Sequence, residues 1–421
     1  MLLVTVTVGW YARCRPNASY PAVHTPAIET WTAVADGRHN SNTDLIHWHG
    51  TFWLAHARAP WHFASNTTRI VLRRSPDARS WQEVTRFASP DEDVRDPKFA
   101  VIRGRLWLYW LPNRHFPEAQ PRTTMVTSSP DGFHWDTPVE MRPPGWLMWR
   151  PRTHDGSTHY AAAYWHEHGE AALFRSTNGR EWEKVSTIVR GRNANETDIV
   201  FLADDRLLAV SRVEGDAHDA WFGDAGGATV ISVASPPYAE WARVDDRRAR
   251  LDGPCLFAWN GQVFAIARYE PATRGGLFET GSVLSRKRTA LYEVTSTGAR
   301  LLALLPSAGD TSYAGVALRE GRLFASYYTS RVDRDYPWIL GMLSRSDIRM
   351  ASLPLAALDG LVARREEWAP PPFGRRRRTG GATRPACPWR AERRPGAPCT
   401  QPHAADPDRR RAASAAGARR I

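Results

Sequence analysis

The sequence has 421 residues, of which 42% are hydrophobic and 24% are charged, and its formal net charge is +12. The segment from Arg375 to Ile421 holds 13 arginines and three acids, so it accounts for ten of the twelve positive charges and the rest of the chain is close to neutral. This distribution argues against a nucleic-acid-binding role for the body of the protein, and the lack of any run of 18 apolar residues argues against a transmembrane helix.

The first 26 residues match no other part of the chain, and we expect them to form a poorly ordered lead-in. Met1–Val8 is apolar but has no charged segment before it, so it does not resemble an ordinary signal peptide. The four cysteines do not form a disulfide framework, because one lies near the start and two lie near the end. Neither feature indicates a cellular compartment.

The first predicted element is a strand at Glu29–Val34. Its Trp-x-x-Val pattern returns at Trp81, Trp182 and Trp241, each time directly after a turn. At Trp31 the pattern has no turn and no other strand before it. This strand is therefore an isolated copy of an element that elsewhere ends a repeat.

Six hairpins follow, each with a turn residue and then an alternating, strongly apolar strand. Their turns lie 49 to 60 residues apart, at Gly50, Gly104, Gly156, Asp205, Gly261 and Gly321. The second strands of the hairpins are predicted at Thr51–Ala55, Arg105–Trp110, Tyr160–Trp165, Leu207–Arg212, Gln262–Arg268 and Leu323–Tyr328. A repeat of about 50 residues indicates stacked or radially arranged units.

A seven-residue motif recurs in four of these units. Ser75–Trp81, Ser129–Trp135, Ser176–Trp182 and Ser235–Trp241 each place a serine six residues before a tryptophan. The first three also have Asp or Asn two residues after the serine. Such side chains hold tight turns by accepting hydrogen bonds from backbone N–H groups two residues further on. We therefore predict a structural role for them.

The motif resembles the Asp-box, or BNR, repeat of the sialidase superfamily, whose fold is a six-bladed β-propeller. The resemblance and the six hairpins predict an all-β fold, a six-bladed β-propeller of four-stranded antiparallel blades over residues 27–365. Closing the ring removes free sheet edges, so we expect the strand at Trp31–Val34 to complete the last blade. Residues 366–421 are rich in Arg and Pro and are predicted to form a disordered tail.

In a propeller the first strand of every blade lines the central channel, so residues at the starts of these strands converge at one mouth. The candidates that this alignment provides for catalysis or binding are Asp44, Arg95, Asp96, Arg150, Glu196 and Asp310. Clustered carboxylates raise one another's pKa unless cations are interleaved with them. Each residue taken alone is better explained by a turn or a cap, but the ring as a whole predicts a polar site.

The resemblance to sialidases implies roles for particular residues. Sialidases use a tyrosine nucleophile paired with a glutamate, and they bind the carboxylate of the sugar with three arginines. By position, Tyr313 and Glu196 are similar to the reactive pair. Arg58, Arg212 and Arg268 are similar to arginines that bind the sugar.

The sequence departs from the sialidase pattern in two places. The first blade begins with Thr43-Asp44-Leu45 where the family has Arg-Ile-Pro, so the leading arginine is missing. The loop at Ala59–Thr68 has no carboxylate for the acid/base role, and His62 is the residue in it that could transfer a proton.

These observations leave three alternatives. The first is a glycoside hydrolase of the sialidase superfamily that acts on a terminal sugar at the propeller mouth, with Tyr313 and Glu196 as the reactive pair. The second is a carboxylate-pair glycosidase that resembles the arabinanase-like families, with Asp44, Asp96 and Glu196 as its carboxylates. The third is a non-catalytic propeller that binds a glycan or a protein.

No phosphate-binding loop, zinc-type Cys/His spacing or Gly-x-Ser-x-Gly motif occurs in the sequence, so we predict no cofactor. His47, His49 and His56 alternate along one hairpin without further ligands, so we predict no metal site. A carbohydrate or glycoconjugate is the expected partner, and we expect the protein to be a monomer.

Overall fold

The computed structural model describes residues 27–63, 66–89, 92–113, 122–217, 219–224, 226–270 and 279–363. The predicted lead-in at 1–26 and the predicted tail at 366–421 lie outside these ranges. Within them the strands are, in chain order, β1 (Glu29–Val34), β2 (His39–Trp48), β3 (Thr51–Ala59), β4 (Arg69–Ser75), β5 (Gln82–Phe87), β6 (Asp93–Ile102), β7 (Arg105–Asn113), β8 (Met125–Ser129), β9 (Val139–Glu140), β10 (Trp146–Met148), β11 (His159–Trp165), β12 (Glu170–Ser176), β13 (Glu183–Arg190), β14 (Ala194–Phe201), β15 (Leu207–Val213), β16 (Ala228–Ala234), β17 (Ala242–Asp246), β18 (Asp252–Trp259), β19 (Gln262–Tyr269), β20 (Arg288–Thr295), β21 (Gly298–Leu305), β22 (Thr311–Arg319), β23 (Arg322–Thr329) and β24 (Asp347–Pro354). Two short helices, α1 (Trp338–Met342) and α2 (Ala356–Ala363), flank β24, and neither is long enough to cross a bilayer.

The strands form six four-stranded antiparallel sheets, which confirms the predicted all-β propeller. Five sheets use consecutive strands, β2–β5, β6–β9, β10–β13, β14–β17 and β18–β21, and the sixth has the order β22-β23-β24-β1. The inner strands β14, β18, β22, β2 and β6 contact one another in turn. The third blade completes the ring, because β10 contacts β7 and β11 contacts β14.

The hydrophobic core lies between neighbouring blades. Trp53 and Leu72 of the first blade share a buried cluster with Leu108 and Trp110 of the second blade. The ring of Trp53 also covers Gly132, where an added Cβ would lie 2.1 Å from the indole. Large aromatic rings bury about 150–250 Å² each, so flat side chains of this kind fill the wedge between two twisted sheets.

The repeated motif forms the predicted turns. In its first three copies the side chain of Asp77, Asp131 or Asn178 accepts hydrogen bonds from the backbone N–H groups two and three residues later, at 2.8–3.0 Å. The tryptophan that ends each copy donates from its indole to the carbonyl three residues before it. These side chains are therefore structural, as the sequence predicted.

The strand β1 closes the ring. It pairs antiparallel with β24, with Trp31 opposite Met350, which confirms that it completes the last blade. The indole N–H of Trp31 donates to the carbonyl of Ala78 in the first blade at 2.9 Å. The guanidinium of Arg79 lies 4.5 Å above the same indole. One side chain thus connects the sixth blade with the first.

We expect the change Trp31→Ala to lower the free energy of unfolding by about 2 kcal/mol, because it removes a half-buried indole and its hydrogen bond from the closure. Urea unfolding followed by circular dichroism measures this quantity. The control is Trp221→Ala, since the side chain of Trp221 is 57% exposed and its loss should cost less than about 0.5 kcal/mol. Equal effects of the two changes would contradict the closure role of Trp31.

Candidate active site

Five of the six inner strands contain a β-bulge close to their first residues. A bulge adds one residue to a strand and redirects its side chain. The bulges hold Asn42 in β2, Asp96 in β6, Glu196 in β14, Gly253 in β18 and Tyr313 in β22. Three of the predicted site residues therefore occupy equivalent positions around the channel.

Tyr313 and Glu196 form a buried pair. The Tyr313 hydroxyl donates a 2.5 Å hydrogen bond to Oε1 of Glu196. The second oxygen of Glu196 accepts from the backbone N–H of Gly253 at 2.8 Å and lies 3.2 Å from Nη1 of Arg212. Only 8% of Tyr313 and 5% of Glu196 are exposed. A phenol that donates to a carboxylate in such a setting can act as a nucleophile with its own base.

Burial controls the protonation of this pair. It raises the pKa of the Glu196 carboxyl, against the charge of Arg212, and the carboxylates of Asp252 and Asp96 add to the rise. Burial and then the charge of Glu196 raise the pKa of Tyr313 well above its ordinary value. Glu196 is therefore a stronger base than a solvated glutamate, and the proton stays on Tyr313 until a reaction draws it away.

Two predicted arginines flank the phenol. Nη1 of Arg212 lies 3.4 Å from the Tyr313 hydroxyl, and its Nε donates to the side-chain oxygen of Asn195 at 2.7 Å. The guanidinium of Arg268 lies 5.0 Å above the ring of Tyr313 and donates to the carbonyl of Thr311. Both cations lower the pKa of Tyr313 against the effect of burial, so they favour a phenolate as it develops.

His62, in the loop between β3 and β4, extends towards the same region. Its Nδ1 lies 2.6 Å from Oδ2 of Asp310, and its Nε2 lies 3.1 Å from Nη1 of Arg95. A guanidinium only donates, so Nε2 accepts and the ring proton of neutral His62 lies on Nδ1. Burial, with help from Arg95, lowers the pKa of His62 although Asp310 opposes this, so the ring is neutral near pH 7.

Asp310 connects this loop with the sixth blade and is fully buried. One of its oxygens accepts from the Tyr328 hydroxyl at 2.9 Å and from the indole N–H of Trp338 at 2.8 Å. The other oxygen lies 2.6 Å from His62 and 3.1 Å from Nε2 of His39. Burial alone would raise the pKa of Asp310, but the two histidines outweigh it and hold the pKa well below its ordinary value.

Within the described ranges, His39, His62 and Asp310 are close enough to share a metal ion, because one ligand atom from each lies within 4.8 Å of the others. His39 suits this role, since its Nδ1 contacts the carbonyl of Ser344 and leaves Nε2 for a ligand. His62 does not, because Arg95 places the ring proton on the atom that would bind the metal. The three side chains are therefore better described as a cluster that shares protons.

Asp44 and Arg150 contact each other rather than the Tyr313–Glu196 pair. Arg150 lies 2.9 Å from Asp44 and 2.8 Å from Asp198, and the backbone N–H of Phe99 donates to Asp44 at 2.7 Å. All three charged side chains are buried. Because these residues come from the first four blades, their contacts join the inner strands at the centre of the ring.

The other predicted residues differ in their surroundings. Arg58 pairs with Asp36 at 2.8 Å and, within the described part of the chain, does not contact the Tyr313–Glu196 pair. Asp96 accepts a 2.5 Å hydrogen bond from Asn42, and its charge contributes to the raised pKa of Glu196. The structure thus brings Asp96 into the site and places Arg58 outside it.

Arg250, Asp252 and Gly253 were not among the predicted site residues. Gly253 donates to Glu196, Asp252 lies 3.8 Å from Arg212, and Arg250 binds Asp252. A signal was present, because Asp252-Gly253 begins the inner strand of the fifth blade and so belongs to the ring of strand starts that predicts a polar site. The signal was incomplete, since a glycine offers no side chain to interpret and Arg250 precedes the strand.

No protein-family model matches the sequence, and no curated protein is similar to it in sequence. Solved structures are similar. A protein of unknown function from Dyadobacter fermentans superposes with a TM-score of 0.58 at 13% identity, over 78% of this chain and 99% of that chain. A mutant of Trypanosoma rangeli sialidase displaying trans-sialidase activity has a TM-score of 0.56 at 11% identity, over 80% of this chain and 61% of that chain.

A phage phi92 endosialidase is similar as well, with a TM-score of 0.55 at 8% identity, over 78% of this chain and 69% of that chain. Similarity at these identities concerns the fold, and the reaction has to be argued from the residues of the site. The chain therefore has the fold of a divergent, sialidase-like six-bladed β-propeller.

Proposed function

We propose that the protein is a retaining glycoside hydrolase in which Tyr313 is the nucleophile and Glu196 is its base. The observation that supports this most directly is the 2.5 Å hydrogen bond from the Tyr313 hydroxyl to Glu196 in a buried setting. A tyrosine nucleophile is an exception to the two-carboxylate scheme of most glycosidases. The fold similarity to sialidases adds support.

In the first step the Tyr313 oxygen bonds to the anomeric carbon as the bond to the leaving oxygen breaks. The phenolic proton passes to Oε1 of Glu196, and Arg212 stabilises the charge that develops on the phenol. In the second step water bonds to the anomeric carbon and the bond to Tyr313 breaks. Tyr313 then recovers its proton from Glu196, and the proton of the water goes to the departed aglycone.

Protonation of the leaving oxygen is the weak point of this site. The loop at Ala59–Thr68 has no carboxylate, and its His62 is neutral near pH 7 with its lone pair facing Arg95. The aryloxy group of an aryl glycoside leaves as a phenolate, so no acid is needed to protonate the leaving oxygen. Aryl glycosides are therefore the substrates with which the proposal is best tested.

The test is covalent trapping with 2-deoxy-2-fluoro glycosyl fluorides of glucose, galactose and mannose. The ring fluorine slows both steps, and the fluoride leaving group keeps the first step accessible, so the glycosyl enzyme accumulates. We expect the intact mass to increase by one fluorosugar and the label to map to Tyr313. A label on another residue, or no label from a sugar whose aryl glycoside is hydrolysed, would overturn the assignment.

A non-catalytic glycan-binding propeller is the second candidate, and the missing carboxylate in the loop at Ala59–Thr68 favours it. Binding on a glycan array without hydrolysis of any aryl glycoside would support this candidate, whereas covalent labelling of Tyr313 would exclude it. The carboxylate-pair alternative has less support, because Asp44 is held by Arg150 and by a backbone N–H group.

The pH dependence follows from Glu196, which must be ionised to accept the proton. Because burial raises its pKa from the ordinary 4.5, kcat/KM should be lost as the pH falls through a value above 4.5. This loss is the acidic limb of the pH profile. Arg212→Gln should move the limb to higher pH, because the charge of Arg212 lowers the pKa of Glu196. Arg58→Gln is the control, and it should leave the limb in place because Arg58 pairs with Asp36. A wild-type limb at or below pH 4.5 would contradict the role of Glu196.

Gly253→Ala should lower kcat for an aryl glycoside by about tenfold or more. An added Cβ would lie 2.8 Å from the ring of Tyr313, and the N–H of Gly253 holds Glu196, so the pair must shift. Gly261→Ala is a matched control, because Gly261 has a similar positive φ of +72° and no atom within 4 Å of its added Cβ. Equal values of kcat in the two variants would show that the contact with Tyr313 is unimportant.

A further inference from the structure

Three arginines surround the carboxylate of Asp252 beside the Tyr313–Glu196 pair. Arg250 binds both of its oxygens at 2.8 Å, from Nε and from Nη2. Nη1 of Arg268 lies 3.6 Å and Nη1 of Arg212 lies 3.8 Å from the same carboxylate. Asp252 is fully buried, and at most 11% of each arginine side chain is exposed. An internal carboxylate thus occupies the point on which the three guanidinium groups converge.

Each of these arginines also contacts a second carboxylate. Arg212 lies 3.2 Å from Glu196 and 3.1 Å from Glu214. Arg268 lies 3.7 Å from Asp310. The further ion pairs of the cluster are Arg250 with Asp224, Arg250 with Glu270 and Lys287 with Glu270.

Among the described residues, carboxylates outnumber arginines and lysines in the ion pairs of this cluster. Four cations, three arginines and Lys287, are in contact with six carboxylates. Burial would raise the pKa of Asp252, but the charges of Arg250, Arg212 and Arg268 outweigh it and hold the pKa well below its ordinary value. Asp252 is therefore ionised near pH 7.

We propose that the site binds glycosides with an uncharged sugar ring and rejects anionic sugars, and that Asp252 determines this specificity. The proposal rests on the proposed function, because it concerns the substrate of the same site. A sugar carboxylate would have to displace Asp252 from the arginines or enter a cluster in which the described carboxylates already outnumber the arginines and lysines that contact them. Burying a carboxylate without a cation of its own is strongly unfavourable, so discrimination comes from repulsion as well as from contacts.

The experiment compares 4-methylumbelliferyl glycosides of neutral sugars (galactose, glucose, mannose, fucose and N-acetylglucosamine) with those of N-acetylneuraminic acid and glucuronic acid. For the wild type we expect kcat/KM for the best neutral glycoside to exceed that for either anionic one by at least about a hundredfold.

Asp252→Asn should raise the ratio of anionic to neutral kcat/KM by about tenfold or more. Glu293→Gln is the control, because Glu293 is a buried carboxylate of the same blade and pairs with Arg300. In this variant the ratio of anionic to neutral kcat/KM should equal that of the wild type.

The outcomes separate this inference from the proposed function. If the wild type hydrolyses an anionic glycoside as well as the neutral ones, the inference is wrong and the function stands. If the wild type hydrolyses none of them, the proposed function loses its support, and titration calorimetry with free galactose and free N-acetylneuraminate decides the inference. Tighter binding of galactose would support it, whereas tighter binding of N-acetylneuraminate, or binding of neither sugar, would overturn it. The comparison on the wild type stays decisive even if Asp252→Asn does not fold.

Discussion

Tyr313→Phe should lower kcat for aryl glycoside hydrolysis by at least about a thousandfold, because it removes the oxygen that would bond to the anomeric carbon. The phenyl ring keeps the packing of Tyr313 against Trp149 and Gly253. Glu196 also keeps its hydrogen bond from Gly253 and its contact with Arg212. We therefore expect the free energy of unfolding to change by no more than about 1–2 kcal/mol. Steady-state kinetics and urea unfolding measure the two effects separately.

The matched control is Tyr292→Phe. Tyr292 is also buried, and its hydroxyl has no hydrogen-bond partner in the described part of the chain. Its loss should change kcat by less than about twofold. If Tyr313→Phe retained more than about a tenth of the wild-type kcat, Tyr313 would not be the nucleophile, whatever the stability of the variant.

Arg150→Met should lower the free energy of unfolding by about 3–5 kcal/mol, because removing one partner of a buried ion pair leaves the other charge uncompensated. Arg150 contacts both Asp44 and Asp198 and also donates to the carbonyl of Ala314 at 3.1 Å. Its loss therefore affects two buried carboxylates at the centre of the ring. Thermal and urea unfolding of the purified variant measure the effect.

Two further variants show whether charge is the cause. Arg152→Met removes a neighbouring arginine that is 28% exposed and lies 3.5 Å from Asp198, so it should cost no more than about 1 kcal/mol. Asp44→Asn added to Arg150→Met should recover part of the lost stability, since it removes one of the uncompensated charges. A loss below about 1 kcal/mol for Arg150→Met would contradict a structural role for this cluster.

The architecture could be predicted because its signals are local. Turn residues and alternating strands are encoded by neighbouring positions, so the six hairpins and the turns at Asp77, Asp131 and Asn178 were visible in the sequence. The closing strand was visible for the same reason. Its pattern at Trp31 copied strands whose place in the repeat was already clear.

The site could be predicted only in part, because residues of one type have different surroundings. Glu196 and Asp44 are both carboxylates near the start of an inner strand, yet one accepts from Tyr313 and the other binds Arg150. Each inner-strand bulge changes the alternation of side chains by one residue, and a shift of one residue reverses the face on which a side chain lies. Nothing in the local pattern specifies that shift.

From the amino-acid order alone one can therefore derive the number of blades, their turns, the strand that closes the ring and the candidates for a polar mouth. The folded ring was needed to show that Arg212 and Arg268 flank Tyr313 while Arg58 and Arg150 do not. The physical reason is distance. Periodicity acts between neighbouring residues, whereas the role of a carboxylate depends on which cations the folded ring brings within about 4 Å of it, as with Asp44 and Arg150, which are 106 residues apart.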